Sequence, residues 1–125
     1  MTTDEIGRKL VSLCKEGKNL DALASLYSKD AESVEAMASE QVPARTKGVD
    51  AIKKKNEWWF ANHQIHGSTV RGPFPNGDQF AVIFTFDVTP KAGSMAGKRM
   101  QMEEVALYAV KGGKVVKEEF FYSMG

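Results

Sequence analysis

Apolar and polar positions change their period once along this chain. Up to about residue 63 the apolar side chains recur every three or four positions; beyond it they alternate, so helices come first and strands follow. Thr2-Thr3-Asp4-Glu5 has the spacing of a capping box, and Ile6, Leu10, Leu13 and Cys14 continue at helical intervals until Gly17 stops the run. Asn19 opens a second, short helix carrying Leu20, Leu23 and Leu26 and ending near Tyr27 to Asp30. A weak strand is predicted from Ser33 to Met37, followed by an aperiodic loop around Pro43. A third helix, from about Gly48 to Asn62, sets Val49, Ile52, Trp59, Phe60 and His63 on or near one stripe, with Lys53, Lys54 and Lys55 read as its solvated face.

Four strands are predicted after it: Ile65 to Arg71, Gln79 to Val88, Arg99 to Val110 and Lys114 to Tyr122. Turn signals separate them at Gly72-Pro73-Phe74-Pro75-Asn76-Gly77-Asp78 and at Pro90 to Gly97. Helices followed by hairpin-linked strands indicate the α+β class, three helices packed on one face of a mainly antiparallel sheet, in a single domain over residues 1–125.

The last hairpin carries Glu103-Glu104 on one arm and Glu118-Glu119 on the other. Because side chains alternate faces along a strand, one member of each pair must point to each side. With a three-residue loop at Lys111-Gly112-Gly113, Ala106 stands opposite Glu118, and one face collects Glu104, Ala106, Tyr108, Val116, Glu118, Phe120 and Tyr122. A two-residue Gly112-Gly113 turn would shift the pairing by one and regroup the carboxylates. The first register is preferred, because it brings two carboxylates and two phenols together beside a small alanine.

Composition narrows the function classes. At 125 residues, with 42% hydrophobic and 26% charged positions, the chain is an ordinary globular length and mixture. Seventeen basic residues against sixteen acidic ones leave +1, no field for nucleic acid or an anionic membrane. The apolar run Phe80 to Phe86 is far short of a membrane span. The acidic start "MTTDEIGRKLVSL" lacks the apolar core of a signal peptide, so a cytoplasmic protein is expected. The lone Cys14 is read as packing. No nucleotide fingerprint, phosphate loop or Ser/His/Asp order is present, and no cofactor is expected.

The candidate chemistry lies in the hairpin and near the third helix. Glu118 and Glu104, if desolvated, would have raised pKa values suited to proton transfer. Tyr108 and Tyr122 would supply hydroxyl donors to a developing oxyanion, with Phe120 on the same face. His63 and His66 stand three apart where helix gives way to strand. That spacing lacks a third ligand, so no metal site is expected; His66 is a candidate proton shuttle and His63 a candidate pocket residue. Trp58 and Trp59 diverge around the helix, which leaves Trp59 to the core and Trp58 to the rim of a pocket. Asp87 is read as a turn cap with Thr89.

The order of elements, with "LDALASLYSKDA", "GVDAIKKKNEWWFANH" and the closing "GGKVVKEEFFY", resembles the SnoaL-like branch of the nuclear transport factor 2-like superfamily, which includes ketosteroid isomerases and polyketide cyclases. The resemblance implies a cone in which a bent sheet wraps the helices around an apolar pocket, and a homodimer through the sheet's outer face. The isomerase machinery does not carry over: its base would fall on Ala36 in Val34-Glu35-Ala36-Met37, and its first-helix tyrosine on Val11. The expectation is therefore a pocket for a small apolar or partly polar organic ligand, serving an isomerase, cyclase or hydratase through carboxylate acid/base chemistry, or alternatively a non-catalytic binding or dimerising domain.

Overall fold

The structure is a computed structural model and describes residues 1–39 and 42–123. Helix α1 (Thr3–Lys15) starts at the capping box: Thr2 Oγ1 accepts the Glu5 N–H at 3.2 Å, and Glu5 Oε1 accepts the Thr2 N–H at 3.0 Å. Two amide donors without intrahelical partners are thereby satisfied. The helix buries Ile6, Leu10, Val11 and Cys14. Gly7 lets it lie close on the sheet, since a Cβ there would come within 3.0 Å of Pro73 Cβ.

Helix α2 (Asn19–Leu26) runs straight into strand β1 (Tyr27–Val34). The strand therefore begins at Tyr27 rather than Ser33. Its partner explains the difference: β1 pairs in parallel with the last strand, β6 (Lys114–Phe121), a contact that local periodicity cannot report. The loop after Pro43 contains a short strand, β2 (Arg45–Lys47), antiparallel to β1. Helix α3 (Val49–Ala61) follows, then β3 (His63–Asn76), β4 (Gln79–Pro90) and β5 (Met100–Lys111). β3 runs through the stretch read as a turn, because Phe74, Pro75 and Asn76 pair with Ala81, Phe80 and Gln79 across a register shift at Gly72-Pro73.

Among the described residues the six strands form one sheet in the order β2-β1-β6-β5-β4-β3, antiparallel except at β1–β6. The helices cover one face of it, as the α+β expectation required. Register shifts of one residue in β3 and β6 are bulges of the kind that bend strands, and the β1–β6 ladder is interrupted between Tyr27 and Glu32. The main core joins Ile6, Leu10 and Leu26 to Phe80, Val82, Ala106 and Val115, all at 1% exposure or less. Each large apolar side chain buried this completely contributes about 2 kcal/mol. A second cluster of Leu23, Ala31 and Ile52 ties α2 and α3 to β1.

The β5–β6 hairpin departs from the preferred register. Lys111 pairs with Lys114 across a two-residue turn in which Gly112 and Gly113 have φ of 61° and 75°, a left-handed pair that glycine adopts readily. The pairing then slips by one residue after Val110↔Val115, leaving Val116 as the extra residue, so that Tyr108 stands opposite Glu118 and Ala106 opposite Phe120. Ala106 does not face Glu118 as expected. Yet the turn and the bulge each move the register by one, and the two shifts restore the grouping of Glu104, Tyr108, Glu118 and Phe120 on one face. Val115 replaces Val116 in the core.

Candidate functional site

The covered face of the hairpin, α3 and the start of the chain enclose a cavity of about 710 Å³ that opens to solvent. That volume lies within the range of small-molecule sites. Its walls are mostly apolar and aromatic: Leu10, Leu23, Trp58, Trp59, Phe84 and Phe86 contribute, as do Met100 and Met102. All three tyrosines of the chain line it.

Glu118 is at the polar end. Only 3% exposed, it accepts hydrogen bonds on both oxygens: Tyr27 donates to Oε1, and Ser33 donates to Oε2 at 2.6 Å. The parallel ladder positions this arrangement, since Ser33 and Glu118 are direct partners across β1 and β6. Burial pushes the Glu118 carboxyl above its ordinary range, and the two donors together with the nearby Lys55 charge pull it back.

Lys55 was expected in solvent but is turned inward, its side chain 9% exposed, and this corrects the reading of the lysine run. It donates to Ser33 Oγ at 2.5 Å and to Glu35 Oε1 at 2.9 Å, and it lies 5.3 Å from the centre of the Phe120 ring. Glu35 takes a second bond, from the Tyr122 hydroxyl at 3.0 Å. The sequence held a signal for Lys55: it follows Ile52 by three positions and precedes Trp59 by four, which puts it on the buried stripe. The charge run concealed it. Tyr27 was missed because the strand was predicted to start only at Ser33, and Ser33 and Glu35, inside the predicted strand, because its parallel partner β6 was not foreseen.

Glu104 faces the same cavity on different terms. Among the described residues no side chain or backbone group donates to its carboxyl. Burial first, and then the negative charges of Glu35 and Glu118, push it up to about 7, with Lys55 opposing. Tyr27 and Tyr108 are held well above the ordinary phenol range by burial and by the Glu118 charge, so both stay neutral. Burial and Glu35 raise Tyr122 as well. Cys14, in the wall, is pushed up to about 12 by burial and Glu118, which keeps it a thiol rather than a nucleophile.

The structure brings Glu118, Glu104, Tyr108, Tyr122, Phe120, Trp58 and His63 to one cavity. His63 opens β3 rather than ending a helix; its ring stacks on Trp59 at 4.3 Å, with Nδ1 2.8 Å from the Trp59 carbonyl oxygen. Trp59 also lines the cavity instead of being confined to the core. His66 is not among the cavity's lining residues. It is the extra residue of a bulge in β3, exposed and 2.7 Å from Thr89 Oγ1, so the proton shuttle expected there does not face the site. Asp87 does not cap a turn with Thr89 either, but pairs with Arg99 at 3.0 and 2.7 Å. Among the described residues no three or more His, Cys, Asp or Glu side chains are grouped to hold a metal ion, and no helix is long and apolar enough to cross a membrane.

Residues 1–122 match the model of the SnoaL-like domain. No curated protein matches. A Mesorhizobium loti protein described as a candidate SnoaL-like polyketide cyclase is 45% identical over 98% of this chain and 100% of its own, with a TM-score of 0.90. Two more distant structures agree in fold alone: a Xanthomonas campestris protein with a cystatin-like fold (16% identity, 98% and 92% coverage, TM-score 0.76), and a Catenulispora acidiphila protein with a ketosteroid isomerase-like fold, solved with trimethylamine (20% identity, 98% and 88% coverage, TM-score 0.72). A chain with this sheet order, this cavity and these matches belongs to the SnoaL-like family.

Proposed function

We propose that this protein binds a small, largely apolar organic molecule in the cavity and moves a proton on it without a cofactor, as an isomerase, cyclase or hydratase. The observation that carries this reading is Glu104: a carboxyl facing an apolar cavity, unbonded by any described residue, and raised by burial to about 7, where it can give or take a proton at neutral pH. Glu118, whose oxygens are both occupied, supplies fixed charge, and Tyr108 presents a phenol at the same end. Trp58, His63, Phe120 and Tyr122 shape the space around the ligand. The cyclase description of the Mesorhizobium loti relative fits this class of chemistry.

The test is proton exchange. Small cyclic ketones and phenols that raise the melting temperature are incubated with the protein in deuterated buffer, and exchange at carbon is followed by NMR. E104Q is expected to bind the same compounds and to lose exchange by about 10²-fold or more. Equal exchange by wild type and E104Q would overturn the assignment.

A dimer through the outer sheet face is part of the same reading. Val105 and Phe121, cross-strand partners there, are 37% and 49% exposed, an apolar pair suited to a second copy. The single buried Cys14 is in keeping with a cytoplasmic setting.

A further inference from the structure

Among the described residues four carboxyls line the cavity; Glu103 is exposed, and the other three, Glu35, Glu104 and Glu118, are grouped around one lysine by charge and hydrogen bonds. Lys55 has donors only, so Ser33 Oγ must accept from it. The Ser33 hydroxyl in turn donates its one proton to Glu118 Oε2 at 2.6 Å, which leaves that proton satisfied. Tyr27 donates to the other Glu118 oxygen. Glu35 likewise accepts on both oxygens, from Lys55 and from Tyr122. Two of the three carboxyls are thus filled with donors, as suits an ionised group, and both are reached by the same ammonium. Glu104 is the third, with no donor among the described residues.

We propose that Lys55 is a positioning residue: acting through the Ser33 hydroxyl, it holds Glu118 as a carboxylate and so leaves the exchangeable proton of the cavity to Glu104. The proposal rests on the acid/base reading of the site and deepens it by saying which carboxyl is charged and what keeps it so. Groups from every neighbouring element enter the balance. Lys55 of α3 favours the charged form of Glu118, as do the donors Tyr27 and Ser33 of β1; Glu35 beyond β1 and Glu104 of β5 oppose it. Tyr108 of β5 and Cys14 of α1 are neutral and close enough to feel its charge. Lys55 is the only lysine or arginine among the described residues lining the cavity, so no second cation can take over its role.

The experiment follows the carboxyl carbons of ¹³C-labelled glutamate by NMR against pH in the full chain, with signals assigned through E118Q and E104Q. In wild type Glu118 should titrate below Glu104. K55M should raise the proton affinity of Glu118 by about tenfold or more, and K55R should recover part of that change because the charge is kept. S33A, which deletes one hydroxyl and leaves the Lys55–Glu35 pair intact, should raise it by about threefold or more; this variant carries the test if K55M does not fold. An unchanged Glu118 titration in folded K55M or in S33A would overturn the role of Lys55 while leaving the acid/base reading of Glu104 standing. If Glu118 moves as expected but E104Q exchanges protons like wild type, the functional reading falls and the Lys55 assignment remains.

Discussion

Glu118 and Glu119 are neighbours in sequence and opposites in physics. Glu118 is 3% exposed, filled with donors and set against a cavity; Glu119, one position on, looks out beside Lys117 at 3.9 Å with its side chain 35% exposed. The same contrast recurs on the facing strand, where Glu104 looks in and Glu103 is exposed. Nothing in residue type separates the members of either pair. What separates them is the parity of the strand, and parity in this hairpin depends on one extra residue, Val116, offsetting a tight Gly112-Gly113 turn. A local detail of backbone geometry decides which carboxylates can do chemistry.

The largest effect should come from shifting that parity. Insertion of one alanine between Lys117 and Glu118, with the turn and the bulge retained, would move residues 118–121 by one, presenting Glu119 and Phe121 to the cavity and Glu118 to solvent, whereas deletion of Val116 would only remove the bulge and keep Tyr108 opposite Glu118. The insertion would also break the pairing of Ser33 with Glu118 across β1 and β6. Burying Glu119 in place of a satisfied carboxylate, and taking Glu118 away from Tyr27 and Ser33, should consume most of the stability of a domain of this size, typically about 5–15 kcal/mol. The expected observation is loss of a cooperative melting transition and of dispersed NMR signals. A cooperative transition within about 2 kcal/mol of wild type would mean that parity is not what divides the pairs.

Next in size is direct truncation. E118A takes the acceptor from the Ser33 and Tyr27 hydroxyl protons while Lys55 keeps its bonds to Ser33 and Glu35, so it should cost about 3 kcal/mol in urea denaturation. E119A removes a long, half-exposed ion pair and should stay within about 0.5 kcal/mol. Comparable costs at the two positions would erase the distinction.

The sequence made the α+β layout legible because helices and strands announce themselves through local spacing: the capping box at Thr2 and Glu5 formed as read, and the face holding Glu104, Tyr108, Glu118 and Phe120 was identified. The route to that face was not legible. A three-residue loop was preferred, whereas a two-residue turn followed by a bulge produces the same grouping, and periodicity counts residues without seeing a bulge. The polar half of the site was hidden for a different reason. Tyr27 and Ser33 belong to a strand whose pairing partner lies more than eighty residues away, and Lys55 sits in a run of three lysines whose composition suggested solvent although its position was on the buried stripe. Long-range pairing and the direction of a single flexible side chain are tertiary facts, and here they assembled the electrostatics.

The pair on β5 sharpens the comparison through pH. The Glu104 carboxyl is raised from 4.5 to about 7 in the folded protein, chiefly by burial, so the native state binds a proton more tightly than the unfolded chain does. The stability contributed by that proton is full below about 4.5 and is lost as pH rises through about 7, where the buried group must ionise. Gln keeps the size and removes the ionisation. E104Q should therefore match wild type near pH 4 and exceed it at pH 8 by up to about 3 kcal/mol, the difference opening across that interval. E103Q, at the exposed neighbour, should stay within about 0.5 kcal/mol throughout. Urea denaturation of the three proteins at four pH values decides the matter. If the E104Q and wild-type curves stay parallel from pH 4 to 8, Glu104 is not a buried acid, and the face it occupies does not differ in kind from the one occupied by Glu103.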